Sequence, residues 1–176
     1  MEGILWVIGL VLLTLFGLVV FFGPPFVPTR KRHLDKGLDE LLKPTKKDFV
    51  VDLGSGSGTV LHACGRRGVP AVGFELNPLL VILSNIATRQ YRHVRAMVAN
   101  FWTKPFPDET TVVYIFGDSR DIRKIERRVQ AEATRLERPI RVLSYGFQLP
   151  TAKLIGHTDT YYLYSVAPLH AKKPQV

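Results

Sequence analysis

The first apolar stretch is continuous and the later ones are broken. Ile4 to Phe22 (ILWVIGLVLLTLFGLVVFF) carries no charge, and Thr14 is its only polar side chain. As a helix it reaches roughly 28 Å, the thickness of a hydrocarbon core, and a segment apolar on all sides suits lipid better than a protein core. A signal peptide would want a positive leading region and an A-x-A-like site; the chain opens Met1-Glu2-Gly3 and no such site follows. The pattern therefore predicts one transmembrane helix. Arg30, Lys31, Arg32 and Lys36 follow it and no Lys or Arg precedes it, so the remainder is expected on the cytoplasmic or matrix-equivalent face.

Beyond it, short apolar runs alternate with helical spacings. Gly23 to Pro28 (GPPFVP) predicts a stiff extended linker. Leu34, Leu38, Leu41 and Leu42 mark a helix stopping at Pro44. Phe49–Leu53, Ala71–Leu76, Val94–Ala99, Thr111–Phe116, Ile140–Tyr145 and Thr160–Val166 predict strands. Helices are predicted from about Ser57 to Arg67, from Asn77-Pro78 as N-cap and first residue, and along Ile122, Ile125, Val129, Ala133 and Leu136. Such alternation predicts an α/β domain with a mainly parallel sheet. The chain divides into an anchor (1–22), a linker with a short helix (23–48) and one domain (49–176).

Composition adds three constraints. With 176 residues, 22% charged and ten Phe, the chain is long enough for one core and too apolar for disorder. One cysteine, Cys64, excludes an internal disulfide, and the five histidines show no metal-ligand spacing, so no metal is expected. The net charge of +9 suits anionic headgroups or an acidic partner as well as nucleic acid. The basic series from Arg120 to Arg138 is interleaved with acids and reads as a solvated helix face; Cys64 and Trp102 read as packing residues, and His62 and His93 have no evident partner.

The chemistry lies where the first strand ends, in Asp52-Leu53-Gly54-Ser55-Gly56-Ser57-Gly58. A dinucleotide fingerprint would place its third glycine one residue later, where Thr59 stands. Glycines let the backbone approach a ligand, while the adjacent Asp52 repels a pyrophosphate and suits an ammonium group. Glu75, ending the second strand, can take both hydroxyls of a ribose. An amine, a ribose and an adjoining cation describe S-adenosylmethionine. Phe116-Gly117-Asp118 ends the fourth strand, where Asp118 is read two ways: orienting a substrate ammonium, or capping the helix after it.

The same residues resemble the seven-strand (class I) S-adenosylmethionine-dependent methyltransferases, with a Rossmann-like sheet. Within them the chain is similar to the membrane-anchored lysine methyltransferases of the adenine nucleotide translocase and the ATP synthase c-subunit. The resemblance rests on the apolar N-terminus, Pro25-Phe26-Val27-Pro28-Thr29, VVDLGSGSG (50–58), AVGFELNPLL (71–80), Asn100-Phe101-Trp102 and RVLSYGFQLP (141–150). Ser57-Gly58-Thr59 stands where that family usually has Asp-Gly-Arg, and Asn100-Phe101-Trp102 where it has Asp-Leu-Trp.

The resemblance implies a lysine N-methyltransferase acting on a membrane protein, with nucleic acid disfavoured as a partner. A lipid or lipophilic small-molecule methyltransferase and a non-catalytic tethered module are the alternatives. The cofactor set it implies is Asp52, Gly54, Ser55, Gly56 and Gly58 around the methionine part, then Glu75 with Leu76 and Asn77. Asn100 and Phe101 would lie near the adenine, and Thr29 would close the pocket.

Overall fold

The computed structural model describes residues 2–22, 31–116 and 120–169, with side chains for 2–11, 13, 14 and 34 onward in those ranges. Seven strands, β1 (Val50–Leu53), β2 (Ala71–Glu75), β3 (Val94–Val98), β4 (Val112–Phe116), β5 (Ile140–Tyr145), β6 (Lys153–His157) and β7 (Tyr161–Val166), form one sheet. Their order is β3-β2-β1-β4-β5-β7-β6. The first five pair in parallel and β7 runs antiparallel between β5 and β6. Strand order reverses between β1 and β4, which places the ligand crevice of such a sheet at their carboxyl ends.

The six predicted strands and three of the predicted helices form with small shifts at their ends, and a seventh strand, β6, joins them. Lys153–His157 is an edge strand, mostly exposed, with a register shift beside Gly156, so it carries neither the alternation nor the apolar run that betrays a strand.

The central strands are buried on both faces, as a parallel sheet under two helical layers requires. On one face Val50, Ala71, Val112 and Leu143 pack with Leu34 of α2 (Lys31–Lys36), with Leu38 just after it, with Leu61 and Cys64 of α3 (Thr59–Arg66), and with Val81 of α4 (Pro78–Thr88). On the other, Val51, Val72, Val113 and Val142 meet Ile122, Ile125, Val129 and Ala133 of α5 (Ile122–Arg135). The leucine helix does not continue as α. It widens into a π-helical turn over Gly37–Leu42, closed by Lys43 N–H donating to the Leu38 carbonyl at 2.7 Å. That turn keeps Leu38 and Leu42 both buried and brings Gly37 so close to Tyr161 that a Cβ would lie 2.8 Å from its ring.

The N-terminal stretch is one helix, α1 (Glu2–Phe22). Its described large apolar residues are 49–80% exposed and touch no core. Among the described residues no helix is long and apolar enough to cross a membrane, so the structure does not support the predicted transmembrane helix. The predicted linker, Gly23 to Pro28, lies outside the described residues.

The basic face of α5 is less solvated than its charge pattern implies. Glu132 is buried, with Arg128 at 2.5 Å and Arg135 at 2.8 Å on its carboxylate. The same arginines donate to the carbonyls of Phe101, Lys104 and Phe106, clamping the segment after β3 onto α5. Interleaved charges look alike whether they face water or fold over a loop, and only the tertiary partner separates the two. Removing the central carboxylate leaves two guanidinium groups without their shared anion. Glu132→Ala is expected to cost about 3 kcal/mol in urea denaturation, against less than roughly 0.5 kcal/mol for the exposed Arg123→Ala.

Candidate functional site

The loop after β1 is built from glycines in conformations that other residues resist. Gly54, Gly56 and Gly58 have φ of 81°, 52° and 85°. The turn is pinned to β2: the N–H groups of Gly54 and Ser55 both donate to the Phe74 carbonyl, at 2.9 and 3.1 Å. It fits there because Gly73 has no side chain; a Cβ at that position would lie 2.4 Å from Ser55 Cβ. Gly73 was not singled out from the sequence, although a glycine inside an apolar strand signals close backbone approach. Gly58 is equally constrained, since a Cβ there would fall 2.1 Å from Ser84 Oγ on α4. Gly54 differs: nothing lies within 4 Å of where its Cβ would be, which leaves the mouth of the loop open.

Two carboxylates flank this mouth. Asp52 is 2% exposed, and its Oδ2 has no hydrogen-bond partner among the described residues. Burial, and secondarily the charge of Glu75, push its carboxyl up to about 8. Glu75 is half-buried and organises the site: Oε2 accepts from Gly56 N–H and Oε1 from Asn77 N–H, both at 2.9 Å. Asn77 Oδ1 in turn accepts from Leu79 N–H at 3.0 Å, making Asn77 the N-cap of α4 with Pro78 behind it, as its sequence implied. Each Glu75 oxygen keeps acceptor capacity after its N–H, so hydroxyl groups can still bind there.

The adenine-side residues sit beside the same strand end. Ala99 N–H donates to the Glu75 carbonyl at 2.9 Å, carrying Asn100 and Phe101 to the edge of the mouth. Asn100 Oδ1 accepts from Trp102 N–H at 3.0 Å, an Asx turn, and keeps one lone pair for a donor. Phe101 is half-buried against Trp102, with ring centroids 4.6 Å apart. Leu76 is 45% exposed at the rim. Thr29 and Asp118 lie outside the described residues.

The sequence reading missed an aromatic group at the carboxyl ends of β4 and β5. Phe116 and Tyr145 stack at 4.9 Å, Tyr145 meets Tyr161 edge-on at 5.0 Å, and the Tyr114 and Tyr161 hydroxyls lie 3.2 Å apart. These residues come from three strands, so no local spacing announces them. Burial lifts the Tyr161 phenol to about 12. Cys64 is fully buried and its thiol is pushed to about 12, in keeping with a packing residue. His62 and His93 both flank the Tyr91 ring, at 5.4 and 6.2 Å. A cavity of about 540 Å³ opens between α2, α3 and α4, but it reaches the loop only through Ser57 and Gly58 and includes neither Asp52 nor Glu75. Among the described residues no group of His, Cys, Asp and Glu could hold a metal ion.

These contacts have measurable consequences. Gly58→Ala forces both a positive φ and the Ser84 collision, and is expected to cost about 3 kcal/mol or more by chemical denaturation. For Asp52 the sign follows from the raised value. Its contribution is fully present below the unfolded pKa of 3.8 and is lost as pH rises through about 8, so stability should fall across that window. Asp52→Asn should flatten the decline; denaturation midpoints that fall identically in both proteins would show the carboxyl is not responsible.

No protein-family model matches the chain. It is 35% identical over 129 residues to the ATP synthase c-subunit lysine N-methyltransferase of Xenopus laevis, covering 72% of this chain and 54% of the relative. To the Rattus norvegicus protein of the same name it is 33% identical over 155 residues, covering 82% and 69%. To adenine nucleotide translocase lysine N-methyltransferase of Mus musculus it is 32% identical over 163 residues, covering 86% and 66%. The chain thus spans between about half and two thirds of the length of these relatives. Among solved structures, an RNA methyltransferase from Salinibacter ruber with S-adenosyl-L-homocysteine superposes with a TM-score of 0.70 at 23% identity, over 84% of this chain and 98% of that one. A geranyl diphosphate methyltransferase with bound S-adenosylmethionine gives 0.51 at 24% identity, over 65% and 48%. The solved structures carry the fold, a class I methyltransferase sheet. The sequence relatives carry the family, and the chain belongs to that of the ATP synthase c-subunit lysine N-methyltransferases.

Proposed function

We propose that the chain is an S-adenosylmethionine-dependent protein-lysine N-methyltransferase whose substrate is a membrane protein. The observation that carries the cofactor is the pairing of an orphaned buried oxygen on Asp52 with the glycine mouth and the divided carboxylate of Glu75. An unpartnered carboxylate in a buried position invites a cation, and the amino group of the methionine part is of the right sign. Asp52 and Gly54 to Gly58 would hold that part, Glu75 the ribose, with Leu76 and Asn77 beside it, and Asn100 and Phe101 the adenine. Thr29 is assigned to the pocket by resemblance alone. When bound, the cofactor supplies a methyl group on a positively charged sulfur.

The protein's own task is positioning. Methyl transfer to an amine is an in-line displacement, so what the site must provide is alignment and a neutral lysine nitrogen. Glu75 fixes the loop by taking Gly56 N–H, and Asn77 fixes α4 by taking Leu79 N–H, so the mouth is set before any ligand arrives. Phe116 and Tyr145 offer an aromatic wall at the next strand ends, suited to an alkylammonium side chain. Asp118, immediately after that wall in sequence, is the group we assign to orient the lysine and help it lose a proton.

The lysine and its setting come from the relatives, which are named for lysines of the ATP synthase c-subunit and the adenine nucleotide translocase. In the same reading, Ile4 to Phe22 holds the domain at a membrane as a single span, with residues after it on the cytoplasmic or matrix-equivalent side. Its support is the uncharged run and the exposure of Ile4 to Val11 and of Leu13, which the folded domain does not use.

The test is labelled methyl transfer to membranes from cells lacking the protein, with mapping of the labelled residue. Label on a lysine of an integral membrane protein is the expected result; label only in lipid, or none, overturns the assignment. Glu75→Ala should weaken S-adenosylmethionine binding at least tenfold in calorimetry, since it removes a charged acceptor and frees the loop.

A further inference from the structure

Helix α4 is arranged with its polar side inward. Val81, Ser84 and Thr88 are buried against the domain, while Leu79, Ile82, Leu83 and Ile86 are 46–55% exposed. The exposed four stand at i, i+3, i+4 and i+7, the stripe that a surface helix ordinarily turns to its core. The helix cannot roll to bury them. Asn85 holds it in register, accepting from Ala96 N–H at 2.8 Å and donating to Ala96 C=O at 3.1 Å on edge strand β3. Asn77 fixes its first turn. Leu76 before the helix and Val98 on β3, 45% and 58% exposed, add to the apolar surface.

The charge carried by α4 and β3 themselves has one sign, and Asp35, which lines a cavity with Leu83, is already paired with Arg66 and Arg67. Residues 76–107 contain no Asp or Glu, yet they include Arg89 and Arg92 just beyond the helix and Arg95 on β3, all exposed. None of the three makes an ion pair among the described residues, whereas Arg66 and Arg67 at the end of α3 and Arg128 and Arg135 of α5 are engaged with carboxylates. An apolar stripe with a one-signed basic fringe fits a bilayer carrying anionic lipid: the leucines and isoleucines enter the acyl boundary and the arginines meet the headgroups. A water-soluble protein partner with an acidic rim is the less economical occupant, because it supplies no anions in the plane that α1, also exposed and apolar, would share.

We propose that α4 is a second membrane contact, which lays the domain on an anionic bilayer with the mouth of the glycine loop beside the headgroup plane. The orientation follows because Asn77 and Leu79 begin α4 at the end of β2, where Glu75 lines that mouth. This rests on the reading of the chain as a membrane-held enzyme and adds its orientation. A target lysine close to the lipid surface would then need no excursion of the domain.

The experiment uses the full chain with an environment-sensitive fluorophore at Ile86→Cys; Cys64 is buried and escapes labelling. Vesicles of phosphatidylcholine, alone or mixed with phosphatidylserine, are compared, and flotation of the same samples reports α1. The expected result is flotation with both, a blue shift and quenching by brominated acyl chains with the anionic vesicles, and no shift for the exposed control Lys47→Cys. Charge removal in Arg89→Gln/Arg92→Gln/Arg95→Gln should lower the shifted fraction by roughly fivefold or more. Flotation with the Ile86 label left in water overturns the α4 contact and spares the anchor. Failure to float overturns both. A shift that needs no vesicles and grows with protein concentration assigns the face to a second copy and overturns the proposal.

Discussion

One carboxylate holds the working end of this domain together. Glu75 ends β2, yet its two oxygens reach in opposite directions, to Gly56 N–H in the loop after β1 and to Asn77 N–H at the start of α4. Its own carbonyl accepts from Ala99 N–H after β3. Three chain segments that leave three adjacent strands are therefore tied to one residue. Without that tie the glycine turn would have several accessible shapes, since residues at φ near +52° to +85° are held by neighbours and by nothing in their own chemistry.

The electrostatics follow from the same geometry. Sheet register sets Asp52 against Gly73 and Tyr114 on its two neighbouring strands, so its carboxylate is enclosed. Burial then favours the neutral acid, and Glu75 pushes further in the same direction. A cation arriving in the mouth would reverse that balance. On the proposed reading, ligand binding and the ionisation of Asp52 would be coupled, and the cost of enclosing a carboxylate would be offset by its bound counter-charge. The domain's basic surface works at longer range, and its acid-paired arginines are structural: Arg67 bridges Asp35 and Asp39, Arg135 bridges Glu132 and Asp108, and Arg141 pairs with Asp48.

Much of the site could be read directly from local order along the chain. Asp52, the alternating glycines and Glu75 fall within twenty-five residues because a β-loop-α-β unit is itself local, and each of those residues is chosen by a backbone need or a single chemical role. Asn77 and Pro78 declare a helix start for the same reason. What local order could not carry is partnership. Gly73 matters through Ser55, Gly58 through Ser84, and the Tyr114, Tyr145 and Tyr161 group through three strands brought side by side. β6 escaped notice because an edge strand needs no apolar face, and the π-helical turn because its leucine spacing is compatible with an ordinary helix.

By itself, then, the amino-acid order determined that the chain would be an α/β unit with a glycine mouth, an acid at each of two strand ends and an uncharged run from Ile4 to Phe22. These depend on residue type and short spacings, which act before any distant contact forms. Only the tertiary structure decided which way α4 faces. Its sequence offers a leucine-isoleucine stripe and a Ser-Thr stripe, and periodicity alone would bury the first. Asn85, by satisfying the open N–H and C=O of Ala96 on the sheet edge, buries the second. A backbone hydrogen-bonding requirement at an unpaired strand fixes the helix's rotation and leaves its apolar stripe exposed.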